Sequence, residues 1–161
     1  MLITLLIIIQ AFLLSNQLWT QNSAPAKPKF CKDGWVHYEG FCYLLIGGPT
    51  TDTNFHQALN NCSTIGSRLF EPRHLAQQII VNEMVKKVEK RTKPYVWLGV
   101  SKVGAKGIYV SSGKVVSSDL ENLRYFEPTI LSCVEMDINS GKWMAANCNE
   151  NLPFICEYEL K

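Results

Sequence analysis

Six cysteines, three histidines and one dense run of basic residues are the groups in this 161-residue chain whose type and spacing could do chemistry. No Cys-x-x-Cys pair occurs, so the cysteines match neither a dithiol redox motif nor a metal ribbon. An even count in a short chain reads as three disulfides made in an oxidising compartment. His37, His56 and His74 are scattered, one on a predicted strand, one on a helix and one in a loop, and no His-x-x-x-His or His/Cys metal spacing appears. A hydrolase needs a nucleophile oriented by a base, and no Gly-x-Ser-x-Gly elbow exists. No catalysis is expected. Lys86, Lys87, Lys90, Arg91 and Lys93 put five positive charges into eight residues. They read as a solvated helix end, where cations suit the C-terminal dipole, with a docking patch for anionic glycans or acidic surfaces as the functional alternative. Asn61-Cys62-Ser63 matches the N-glycosylation acceptor pattern, although its middle residue is a predicted half-cystine on a helix.

The elements that would carry these groups fit one domain. Sixteen Lys+Arg against fourteen Asp+Glu leave a net charge of +2, which does not suggest the basic face of a nucleic-acid binder. Hydrophobic residues are 47% and charged residues 19%, which excludes disorder throughout. Leu2 to Leu14 is apolar at eleven of thirteen positions and ends in Ser15-Asn16-Gln17. Thirteen helical residues reach roughly 20 Å, short of the roughly 30 Å hydrocarbon core. Residues 1–20 therefore read as a secretory signal removed at a point within 17–26, giving a secreted, extracellular protein with no membrane attachment after processing. Ala24 to Lys29, with two prolines and two lysines, is a tether leading into a domain over 27–161.

Within that domain, Trp35–Tyr38 and Phe41–Leu45 flank Glu39-Gly40, which predicts a hairpin with Cys31 and Cys42 stapling its base. Asn54 and Gln57 resemble a capping box. Phe55, Ala58, Leu59, Cys62 and Ile65 then recur at helical spacing until Gly66 ends the helix. A second helix is expected over about Leu75 to Lys90, with Leu75, Ile79, Met84 and Val88 as its stripe. Tyr95 to Val100 is a buried-strand run, with Trp97 as a core residue. Residues 101–132 hold three glycines and too few apolar side chains for a core of their own. Cys133–Asp137 and Lys142–Ala145, where Trp143 is the second expected core tryptophan, flank the turn Asn139-Ser140-Gly141, and Phe154–Tyr158 closes the chain. Strand, two helices, then strands is an α+β order with no βαβ alternation.

Several of these segments together resemble the C-type lectin-like domain. They are Trp35-x-x-Tyr38-x-x-x-Cys42-Tyr43, Phe55-x-x-Ala58-x-x-x-Cys62 with Gly66-x-x-Leu69, and Trp97-Leu98-Gly99-Val100. Cys133-Val134-Glu135-Met136, Gly141-Lys142-Trp143, and Cys148 followed by Pro153-Phe154-Ile155-Cys156-Glu157 complete the set, which spans about Phe30 through Glu157. The resemblance implies a secreted, single-domain, six-cysteine long form: two helices, antiparallel sheets and a long loop region. Spacing alone leaves fifteen connectivities open; the family pattern implies Cys31–Cys42, Cys62–Cys156 and Cys133–Cys148. The relatives it brings to mind are invertebrate lectins of innate immunity.

Sugar-binding members of that family use a bound calcium, a hard cation needing six to eight oxygens. The family supplies them from a Glu-Pro-Asn or Gln-Pro-Asp tripeptide, an acidic residue before the cysteine matched by Cys133, and a Trp-Asn-Asp tripeptide. Here the first position reads Glu127-Pro128-Thr129, with a hydroxyl where the amide belongs. Ile130-Leu131-Ser132 carries no carboxylate. Trp143 stands five residues before Cys148, as the motif requires, but is followed by Met144 and Ala145, a thioether and a methyl. Neither binds a hard cation. The resemblance then implies a non-enzymatic recognition protein that binds a glycan or a protein surface through its long-loop region, without the usual calcium and with no other cofactor. The alternative is an ordinary calcium-dependent lectin in which Asp119 or Glu121 supplies substitute oxygens beside Glu127. The oligomeric state is not legible.

Overall fold

The computed structural model describes residues 30–48, 50–86, 93–103, 108–110, 112–115, 123–125 and 131–160. The predicted signal segment and tether, Lys87, Val88, Lys90, Arg91, Asp119, Glu121 and Glu127-Pro128-Thr129 lie outside these residues.

The domain opens on the expected hairpin, β1 (Val36–Tyr38) and β2 (Phe41–Ile46). Its two-residue turn places Glu39 at φ 45° and Gly40 at φ 77°, the doubly positive pair that matches strand twist. Helix α1 runs Phe55–Thr64, and the Asn54 side chain accepts from the Gln57 N–H at 2.9 Å. At the other end Gly66 has φ 74°. Gly66 N–H donates to Ser63 O, and Ser67 N–H to Cys62 O, so the carbonyls of the last turn are satisfied.

Strand β3 (Arg68–Leu69) leads to helix α2, described over Leu75–Lys86. Its inward face is only in part the expected stripe: Met84 packs against the core, and Val88 lies outside the described residues. Leu75 and Ile79 are 57% and 55% exposed, whereas Gln77, Gln78, Val81 and Val85 are buried. Each buried glutamine has one hydrogen bond to the fold: Gln78 donates to Gly141 O at 2.9 Å, its Oε1 being left without a partner among the described residues, and Gln77 accepts from Arg73 N–H at 3.1 Å. Those bonds offset part of the cost of burying the amides.

The remaining strands are β4 (Tyr95–Val103), β5 (Ile108–Val110), β6 (Leu123–Tyr125), β7 (Leu131–Asp137), β8 (Trp143–Ala146) and β9 (Phe154–Glu159). They join one sheet in the order β1-β2-β9-β4-β7-β8-β6, with β3 added at β9 and β5 at β4. The sheet is mixed rather than purely antiparallel, since β9 runs parallel to β4 and β6 parallel to β8. A sheet that brings the last strand back to its centre needs such a crossover.

Strand alternation splits the core in two. Val96, Leu98 and Val100 join Tyr43, Val81, Val85, Met136 and Trp143 in one cluster, while Trp97 joins Phe55, Ala58, Cys62, Phe154 and Cys156 in the other. Trp97 and Trp143 are both fully buried, as expected of core residues. The three disulfides are Cys31–Cys42, Cys62–Cys156 and Cys133–Cys148.

Gly99 shows how tightly β3 and β4 meet. Its N–H donates to Phe70 O at 2.7 Å, and a Cβ there would lie 2.6 Å from Leu69 O. Gly99→Ala must push two backbones apart, and we expect a loss of roughly 1–3 kcal/mol in chemical denaturation. A variant as stable as wild type would refute this packing.

Candidate functional site

The tripeptide Trp143-Met144-Ala145 occupies most of β8. Its register is fixed from β7, where Met136 faces Trp143, Glu135 faces Met144 and Val134 faces Ala145. Trp143 turns into the core, and Met144 and Ala145 are half-buried. On the far side, β6 runs beside β8 with Leu123 opposite Trp143 and Tyr125 opposite Met144. Tyr125 is two residues ahead of Glu127 in the chain, and Leu131, just beyond Thr129 and Ile130, opens β7. The elements on both sides of the Glu127-Pro128-Thr129 position therefore pair with β8. Cys133–Cys148 ties the base of β7 to the segment after β8 across 15 residues.

The donor chemistry at β8 does not fit calcium. Trp143, Met144 and Ala145 bring no side-chain oxygen to a position where the family uses an amide and a carboxylate.

The other sequence candidates are dispersed. His37 lies on β1, His56 on α1, and His74 precedes α2 with its Nε2 3.1 Å from Glu39 Oε2. Lys86 pairs with Glu83 at 3.0 Å and Lys93 with Glu150 at 3.2 Å, so the described part of the basic run is paired. Asn61 is half-buried on α1, and Ser63 of the same acceptor pattern is exposed.

Two acidic residues escaped the sequence reading. Glu157 on β9 is fully buried. It accepts from Arg68 Nε at 2.9 Å, from both terminal nitrogens of Arg73, and from Glu71 N–H at 3.3 Å. The Arg73 guanidinium also stacks 4.1 Å from the Phe41 ring centroid. Nearby, burial first and the Glu157 charge second hold the Tyr43 hydroxyl above the usual phenol range. Glu135 on β7 is 7% exposed, and burial pushes its carboxyl up to about 7. Alternation does not flag Glu157, since Ile155 on its own face and Phe154 and Cys156 on the other are all core.

Comparison with known proteins agrees with this architecture. The model of the Lectin C-type domain matches residues 51–158. The alpha chain of snaclec rhinocetin from Bitis rhinoceros is 31% identical over 132 residues, covering 78% of this chain and 80% of that one. A snaclec coagulation factor IX-binding protein of Protobothrops flavoviridis is 28% identical over 131 residues, covering 79% and 98%. The crystal structure of human lithostathine superposes with a TM-score of 0.68 at 19% identity, covering 88% of this chain and 99% of that one. That likeness carries the fold alone. The Trp-Leu-Gly strand, the three disulfides and the lectin match over most of the domain lead to one conclusion: this chain belongs to the C-type lectin domain family.

Proposed function

We propose that the chain is a secreted, non-enzymatic recognition protein that binds a glycan or a protein surface at its β8 and long-loop side without the family's calcium. The observation that carries this reading is the register of Met144 and Ala145, set by β7 and by Cys148, at the two places where sugar-binding members hold metal oxygens. A snaclec relative named for binding coagulation factor IX supports a protein surface as the ligand. Among the described residues no helix is long and apolar enough to cross a membrane, and extracellular location is part of the proposal. The secreted form should begin within residues 17–26 by mass spectrometry.

A glycan array read in calcium and again in chelator tests the site. Binding that vanishes in chelator would replace this reading with the ordinary calcium-dependent lectin.

Thermal unfolding gives a second, ligand-free test. A working site at about 100 times its Kd adds about 2.7 kcal/mol of stability. Millimolar calcium is expected to leave the wild-type midpoint within about 1 °C, a shift equivalent to well under 1 kcal/mol. Met144→Asn with Ala145→Asp returns two oxygen-bearing side chains to β8. We expect only partial recovery of a calcium shift, because Thr129 still lacks an amide and Ile130-Leu131-Ser132 a carboxylate. A wild-type protein stabilised by several degrees would overturn the altered-site reading.

A further inference from the structure

The acceptor pattern Asn61-Cys62-Ser63 is a motif that the β8 reading leaves unused. Helix α1 sends its three side chains in different directions. Cys62 is fully buried and bonded to Cys156, whereas Asn61 is half-buried and Ser63 exposed. Successive helical residues point about 100° apart, so the Cys62 sulfur enters the core while both neighbours keep water. Among the described residues the Asn61 side-chain amide makes no hydrogen bond, and its polar atoms are not closed off from solvent. Its main-chain carbonyl accepts from Thr64 Oγ1 at 2.8 Å.

We infer that Asn61 carries an N-linked oligosaccharide, attached before α1 folds; the inference rests on the secretion proposed above. In the attachment step the Asn61 amide nitrogen attacks the anomeric carbon of an oligosaccharide held on a lipid diphosphate. A carbon–nitrogen bond forms, the bond from that carbon to the diphosphate oxygen breaks, and the lipid diphosphate leaves with the electron pair. The amide proton passes to a base of the transferase, an enzyme of the secretory lumen that reads the Ser63 hydroxyl.

Cys62 stands in the middle of the pattern, and the topology removes that objection. Its partner Cys156 follows 94 residues later, a stretch whose synthesis takes roughly 5–20 s at about 5–20 residues per second. Throughout that interval Cys62 has no native partner. Helix α1 is 10 residues long, and an isolated helix below about 12–15 residues is marginal in water. Its inner face, Phe55, Ala58 and Cys62, packs on Trp97, Phe154 and Cys156, the last two on β9. The acceptor therefore meets the transferase as an unfolded segment.

In the folded domain the sugar leaves from the end of α1 that meets the hairpin base, where Lys32 Nζ donates to Ile65 O at 3.1 Å. The other end approaches β8, since Phe55 N–H donates to Cys148 O at 3.0 Å. Six residues of helix put about 9 Å of rise between Phe55 and Asn61. The sugar thus roots away from β8 and one turn before Ile65, an apolar side chain 36% exposed.

The test is expression of the full chain in a eukaryotic host, with peptide mapping of the protein from the medium. The peptide carrying Asn61 should be heavier by an oligosaccharide and, in the same molecule, cross-linked to the peptide carrying Cys156. An amidase that cuts the sugar–asparagine bond should remove the extra mass. Asn61→Gln and Ser63→Ala should each abolish it; Ser63 is exposed, so the second variant decides if the first does not fold. A bare Asn61 on secreted chain with Cys62–Cys156 formed would overturn the inference and leave the recognition reading standing. Sugar found only on molecules lacking Cys62–Cys156 would overturn the order of sugar first and disulfide second. A chain held in the cytosol, with free thiols and no sugar, would overturn the secretion reading together with this one.

Discussion

Replacing Cys62 and Cys156 together with alanine should cost roughly 4–5 kcal/mol, the largest loss of the three disulfides. The bond spans 94 residues, against 11 for Cys31–Cys42 and 15 for Cys133–Cys148. In the chain-entropy account, a cross-link restricts the unfolded chain in proportion to the logarithm of the loop it closes. The native side points the same way. Both half-cystines are fully buried, in the cluster that joins α1 to β9 and Trp97, so their loss also leaves apolar surface poorly filled. Against a total stability of about 5–15 kcal/mol, such a loss removes a large share. Equilibrium denaturation of the three double-alanine variants ranks the bonds directly. If the variant lacking Cys31–Cys42 were the least stable, the hairpin rather than the α1–β9 junction would be the weak point of the fold.

How much of this was legible in the sequence depended on whether a signal was local. The Glu39-Gly40 turn and the Asn54 and Gly66 ends of α1 are set by a few neighbouring residues, and the structure has them where the sequence put them. The Cys62–Cys156 pairing is non-local and became readable only through the family resemblance. The inward face of α2 was misread at Leu75 and Ile79, which hydrophobicity alone favoured, though Met84 does pack on the core. The deciding facts are hydrogen bonds from Gln78 to Gly141 and from Arg73 to Gln77, the first spanning 63 residues of sequence. Central strands hid Glu135 and Glu157 for a related reason: β7 and β9 have neighbours on both edges and core on both faces, so alternation no longer marks an exposed side. At the proposed site, the strand carrying Trp143-Met144-Ala145 was legible, whereas Glu127-Pro128-Thr129 is outside the described residues.

Arg68→Met with Arg73→Met is expected to destabilise the domain by roughly 3–5 kcal/mol, because it strands a carboxylate that cannot reach water. Glu157 is fully buried, while the two arginine side chains are 45% and 30% exposed. Desolvation therefore falls mainly on the acid, and what offsets it is the pair of guanidinium groups together with the Glu71 N–H. Arg73 should matter more than Arg68. It donates to both carboxylate oxygens and packs on Phe41, so its removal takes a two-point ion contact and an aromatic contact at once. Geometry also makes the network a junction, because Arg68 comes from β3, Arg73 from the approach to α2, and Glu157 from β9. Loss of charge and loss of packing predict different behaviour in a third variant. Adding Glu157→Gln to the double substitution removes the stranded charge and leaves the cavity unchanged, so it should recover a substantial part of the loss in chemical denaturation. If the triple variant were no more stable than the double, the arginines would be holding the β3–β9 junction by their hydrocarbon stems and the Phe41 contact, and Glu157 would tolerate burial without them.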